Sequence, residues 1–195
     1  MNKNLPNIIT IVRVCLLPFI FFFYLTDFVP YSKIVGISLY IFACITDFLD
    51  GFLARKYNAV SDFGKLIDPM ADKLLSCTGI ILIAVSNVLP DWFFSVMAFI
   101  ILGRDFSVDC LRMLAAKNGV VIAANWSGKI RTILSMIAMP YLMFMSTKII
   151  NKDVFDYVGY GLMGLAVILC AYSWFFYFYT NRSVFKTNDN KSNNK

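Results

Sequence analysis

The sequence predicts an all-α, polytopic membrane protein with six transmembrane helices and both termini in the cytoplasm. Three observations lead there. Of the 195 residues, 59% are hydrophobic and only 15% are charged, whereas soluble domains run near ~45–50% and ~25%. Apolar runs recur at the length of about 20 residues that the hydrocarbon core requires. Lysines and arginines gather in alternate connections, the usual mark of a cytoplasmic face.

The spans follow in order. The first is expected over 7–26, with Phe19 to Tyr24 unbroken and no small-residue cleavage site, so it reads as a retained helix rather than a signal peptide. The second is expected over 32–55 and the third over 66–88. The fourth covers 91–115, and both it and the second end in polar sequence. The fifth covers 130–149. The sixth covers 156–180 and ends in an aromatic run from Trp174 to Tyr179, as helices do at a membrane interface.

Orientation rests on the basic residues. Lys3, Arg55, Lys56, Lys65, Lys117, Arg182, Lys186, Lys191 and Lys195 fall on one side, and Lys33, Lys148 and Lys152 on the other. That imbalance puts the first side, with both termini, in the cytoplasm. Residues 1–180 form a single membrane domain. Residues 181–195, rich in Asn, Lys and Ser, read as a disordered basic tail.

Composition narrows the chemistry. The net charge is +6, but no long basic run is interleaved with aromatics. Anionic lipid or a phosphate ligand is favoured and nucleic acid is not. Histidine is absent, which removes the commonest metal ligand and general base. The five cysteines lie in apolar stretches without a CxxC and read as small buried residues.

Four aspartates stand out against this background. Asp47-x-x-Asp50-Gly51-x-x-Ala54-Arg55 is followed, after eight residues, by Gly64-x-x-x-Asp68-x-x-x-Asp72. Carboxylates are costly near lipid and mark polar cavities or metals. Asp47 and Asp50 share a face at the end of the second span, and Asp68 and Asp72 at the start of the third. A short connection over 56–65 would make these helices antiparallel neighbours and bring the four carboxylates together. An all-oxygen donor set suits a hard divalent cation, Mg²⁺, Mn²⁺ or Ca²⁺, and four carboxylates can hold two ions around a phosphoryl group. Gly51, Ala54 and Gly64 leave room for a ligand against the backbone. Arg55 and Lys65 add positive charge, and Pro69 is expected to open the third helix.

This string resembles the signature of the CDP-alcohol phosphatidyltransferase family, and span count and length agree along the whole chain. The resemblance implies transfer of a phosphatidyl group from a CDP-linked lipid to an alcohol, with release of CMP. It implies that Asp47, Asp50, Asp68 and Asp72 bind divalent metal, Mg²⁺ or Mn²⁺, as two ions. Asp72 would also be the catalytic base. Gly51, Ala54, Arg55, Gly64 and Lys65 would bind the CDP-lipid. A homodimer in the bacterial cytoplasmic membrane, with its site on the cytoplasmic side, is implied as well.

Two further clusters bear on the acceptor. Pro6-Asn7-Ile8-Ile9-Thr10-x-x-Arg13 resembles the opening of bacterial glycerophosphate phosphatidyltransferases, and Asn7, Thr10 and Arg13 are candidate lining residues. Alternatively, Asn7 simply caps an interfacial helix. Gly103-Arg104-Asp105-Phe106, Arg112 and Ser127-Gly128-Lys129-x-Arg131-Thr132 resemble the branch that makes phosphatidylglycerophosphate, which often carries Glu where Asp105 stands. Arg104, Arg112, Lys129 and Arg131 would bind the phosphate of an acceptor such as sn-glycerol 3-phosphate. The plainer alternative is that these are basic side chains snorkelling to the interface.

Gly159-x-Gly161-x-x-Gly164 follows no strand and reads as small-residue helix packing, not a dinucleotide loop. CDP-diacylglycerol and glycerol 3-phosphate are thus the expected substrates. Inositol phosphate, serine or phosphatidylglycerol are the alternative acceptors. A divalent-cation transporter would want polar residues on both membrane faces, and the outward halves here are apolar.

Overall fold

Apolar stretches without competing turn residues satisfy their backbone groups internally, and in lipid only a helix does this within one segment. The computed structural model describes residues 5–26, 29–57, 62–117, 126–147 and 152–182; at 5–6, 50–57, 62–66, 117, 126–127, 129, 152–154 and 156 it describes the backbone but not the side chain. The described residues form six helices: α1 (Leu5–Leu25), α2 (Ser32–Tyr57), α3 (Asp62–Ser86), α4 (Asp91–Lys117), α5 (Trp126–Met145) and α6 (Lys152–Thr180). The expected tail over 181–195 lies almost entirely outside the described residues.

Four helices carry stretches long and apolar enough to cross a membrane: Asn7–Leu25, Ser32–Leu49, Ile67–Ser86 and Tyr157–Thr180. The protein is therefore membrane-integral. In α5 the apolar stretch is shorter, Ile130–Met145. In α4 the second half carries Arg104, Asp105, Asp109 and Arg112, which dilutes its hydrophobicity.

Several helices outrun the apolar spans read from sequence. α2 continues to Tyr57 and α3 begins at Asp62, so most of the expected 56–65 connection is helical. α5 and α6 each begin four residues before the expected span. A span is counted in apolar residues, while helical hydrogen bonding continues into the polar flank. Pro69 does not open α3, which is helical on both sides of it. The buried Ala71 and Leu75 that follow anchor the next turns, and their packing outweighs the one backbone hydrogen bond a proline removes.

The chain divides into two compact units. One comprises Met1–Pro90 with Met136–Gly159, and the other Asp91–Ser135 with Tyr160–Lys195. In the first, α1 packs against both α2 and α3. Gly36 of α2 makes the α1 contact possible, since a Cβ there would meet the Tyr24 backbone nitrogen at 2.9 Å. Tyr24 is buried and ties three helices through its hydroxyl. Ser86 Oγ of α3 lies 2.6 Å away, and Ser146 Oγ, just past α5, lies 2.8 Å away. Asn87 ends α3 in the left-handed region at φ 51°, which asparagine tolerates at a helix C-terminus.

In the second unit α4 packs on α6. Val108 and Leu111 bury against Tyr177, and Phe99 meets Trp174 with ring centroids 6.4 Å apart. Asp91 starts α4, placing a negative charge at the helix's positive end.

Candidate active site

The acidic site is built in the first unit from three helices. α2 runs antiparallel to α1 and α3, so the start of α1, the end of α2 and the start of α3 lie together. From α2 comes Asp47, whose carboxylate is 21% exposed. From α3 come Asp68 and Asp72, both exposed. From α1 come Thr10 and Arg13, each only 1% exposed.

Specific contacts fasten these groups. Thr10 Oγ1 donates a 2.8 Å hydrogen bond to Asp68 Oδ1. Arg13 Nη1 donates to Asp47 Oδ1 in a charge-assisted pair. Cys44, three residues before Asp47 on α2, is buried. Tyr40, one turn earlier, is 1% exposed and points its hydroxyl at Met139 Sδ, 3.2 Å away. Gly79 of α3 leaves the space that hydroxyl occupies.

Asn7 lies within α1, two residues past its first residue, so it is not the cap that was the alternative reading. Asp50, Gly51, Ala54 and Arg55 fall in the last turns of α2, and Gly64 and Lys65 in the first turn of α3; their side chains lie outside the described residues. Among the described residues, no three Cys, Asp or Glu side chains form a ligand cluster. The fit to a divalent cation rests on donor chemistry: Asp47, Asp68 and Asp72 offer only oxygen, as hard cations require.

The second unit holds a separate polar cluster. Arg104 and Arg131 are each 8% exposed and share one carboxylate. Asp105 Oδ1 lies 3.2 Å from Arg104 Nη1 and 2.9 Å from Arg131 Nη2. Arg104 Nη2 also donates to Ser173 Oγ at 3.3 Å. Two buried guanidiniums against one carboxylate leave a net positive charge. The Nε atoms of both arginines are buried with no hydrogen-bond partner among the described residues. An anion would satisfy such donors. Gly128 keeps α5 close, since a Cβ there would stand 3.2 Å from Arg104 Nη2.

Arg112, expected beside Arg104, takes another partner. Its Nε donates to Tyr177 Oη at 3.1 Å, and its guanidinium lies 5.7 Å from that ring's centroid. The side chain of Lys129 lies outside the described residues.

Sequence reasoning named Thr10 and Arg13 only as candidate lining residues and did not anticipate which carboxylates they hold. It missed Tyr40 and Ser173 altogether. The available signal was a threonine and an arginine three residues apart in an otherwise apolar first helix.

Residues 3–178 match the CDP-alcohol phosphatidyltransferase family. The chain belongs to that family. Several members are similar along nearly their whole length. A Bacillus subtilis protein named CDP-diacylglycerol–glycerol-3-phosphate 3-phosphatidyltransferase is 34% identical over 201 residues, covering 95% of this chain and 99% of the relative. A Rickettsia bellii protein of the same name is 37% identical, covering 91% and 94%. One from Pectobacterium atrosepticum, again of that name, is 29% identical, covering 91% and 94%. The acidic string of this phosphatidyltransferase family member thus lies where α1, α2 and α3 come together.

Proposed function

We propose that the protein transfers the phosphatidyl group of CDP-diacylglycerol to sn-glycerol 3-phosphate, releasing CMP and forming phosphatidylglycerophosphate. The observation that carries this reading is near end-to-end similarity to relatives named for that reaction. The buried Arg104–Asp105–Arg131 cluster, with its surplus positive charge, supports an acceptor that itself carries phosphate.

Asp47, Asp50, Asp68 and Asp72 would hold divalent cations, Mg²⁺ or Mn²⁺, as two ions. When bound, such ions neutralise the pyrophosphate oxygens and the departing CMP. Asp72 takes the proton from the attacking hydroxyl of the acceptor. That oxygen bonds to the phosphatidyl phosphorus, the bond from phosphorus to the bridging pyrophosphate oxygen breaks, and the bridging oxygen leaves with the bonding electron pair as part of CMP. Gly51, Ala54 and Gly64 make room for the cytidine, and Arg55 and Lys65 attract the diphosphate. Arg104 and Arg131, with Lys129 and Arg112, bind the acceptor's phosphate.

A bacterial cytoplasmic membrane suits this chemistry. Six spans with cytoplasmic termini put the acidic string at headgroup level, where the lipid phosphate meets the water-soluble acceptor. The active form would be a homodimer.

The deciding experiment uses purified protein in detergent with CDP-diacylglycerol and Mg²⁺. Glycerol 3-phosphate should elicit CMP release, and EDTA should stop it. Release with serine, inositol phosphate or phosphatidylglycerol, but not with glycerol 3-phosphate, would overturn the acceptor assignment.

A further inference from the structure

The first helix is apolar along almost its whole length, yet two of its most deeply buried side chains are Thr10 and Arg13. A buried arginine is expensive unless it is paired. These two residues stand three apart, on one face of α1. Each reaches a different helix: Arg13 holds Asp47 of α2, and Thr10 holds Asp68 of α3. α1 packs against both helices. The two carboxylates, 21 residues apart in the chain, are thus referred to one rigid element.

We propose that Thr10 and Arg13 are positioning residues for the cation site. Each anchors one oxygen of a ligand carboxylate, which restricts rotation of that group and aims its other oxygen. α1 thereby fixes the separation and orientation of Asp47 and Asp68 before any cation arrives. Outer partners of this kind tune metal sites, and their loss costs about 10–100-fold in affinity or activity. The inference rests on the reading of Asp47 and Asp68 as cation ligands.

The test measures Mn²⁺ binding by electron paramagnetic resonance on purified, substrate-free protein in detergent. Thermal unfolding is followed in EDTA and in Mn²⁺. Thr10→Val removes the hydroxyl donor at nearly constant volume, and Thr10→Ser keeps it. Arg13→Lys keeps the charge but loses the planar fork, which separates orientation from simple attraction. Thr10→Val and Arg13→Lys should each weaken Mn²⁺ binding by about tenfold or more. They should also shrink the rise in melting temperature that Mn²⁺ confers on the wild type. Thr10→Ser should bind nearly as the wild type does. Unchanged Mn²⁺ affinity in both weakened variants would overturn the proposal, as would equal loss of stability with and without Mn²⁺. Should Thr10→Val not fold, Arg13→Lys decides alone. If the wild type itself binds no Mn²⁺, the reading of the aspartates fails instead.

Discussion

Arg131 places Nη2 2.9 Å from Oδ1 of Asp105, across 26 residues of chain and from a different helix. The same carboxylate faces Arg104. Neither guanidinium is more than 10% exposed and the carboxylate is 15% exposed. The pair is therefore little screened by water.

Asp105→Asn should consequently be severe. It removes the carboxylate that both buried guanidiniums face. Breaking a buried ion pair from one side costs about 3–5 kcal/mol. Thermal unfolding in detergent should show a clear loss of stability. Surviving enzyme should show a raised KM for glycerol 3-phosphate, because the arginines lose their orientation. Asp105→Glu should restore much of both.

Arg104→Ala and Arg112→Ala should differ. Arg104 is buried beside Asp105, and its Nε has no hydrogen-bond partner among the described residues, whereas Arg112 is exposed and stacks on Tyr177. Arg104→Ala should raise the KM for glycerol 3-phosphate by about tenfold or more, equivalent to one lost charge-assisted hydrogen bond of about 1.5–3 kcal/mol. The KM for CDP-diacylglycerol should move far less. Arg112→Ala should shift the acceptor KM by a smaller factor. Steady-state CMP release with each substrate varied in turn provides the comparison.

Asp72→Asn should remove the base while keeping size and shape. Turnover should fall by about 10²–10⁴, the usual worth of a positioned proton acceptor. Binding of CDP-diacylglycerol should remain. A near wild-type rate of CMP release would show that another group takes the proton.

Tyr24→Phe tests the far end of the first unit. The hydroxyl lost is shared with Ser86 and Ser146. It lies about 20 Å along α1 from Thr10, at ~1.5 Å rise per residue. Interhelical hydrogen bonds in membranes average about 0.6 kcal/mol and reach about 1.7. Stability in detergent should fall by about 1–3 kcal/mol, with little change in the KM for either substrate.

Much of this was legible in the chain alone. The all-helical fold followed from apolar length, because a helix is the one single-segment structure that satisfies its own backbone in lipid. The reaction class followed from the resemblance of the string over Asp47, Asp50, Asp68 and Asp72 to the family's signature; their helical spacing in apolar surroundings pointed by itself only to a cation site. Helix ends were less legible. Lys56 and Tyr57 extend α2, and Asp62 begins α3, in polar sequence that no hydropathy window assigns. Pro69 looked like a break, and tertiary packing overrode it.

By itself, then, the sequence determined which residue types stand at which helical spacing, and so the membrane fold, the acidic string and its oxygen-only chemistry. Only the tertiary structure decided their partners. Arg13 on Asp47, Thr10 on Asp68 and Arg131 on Asp105 join residues 26 to 58 positions apart. Helical periodicity governs neighbours three or four residues away. Which face of one helix meets which face of another depends on close packing, such as Gly36 against Tyr24 and Gly79 beneath the Tyr40 hydroxyl. Those contacts exist only once the helices have come together.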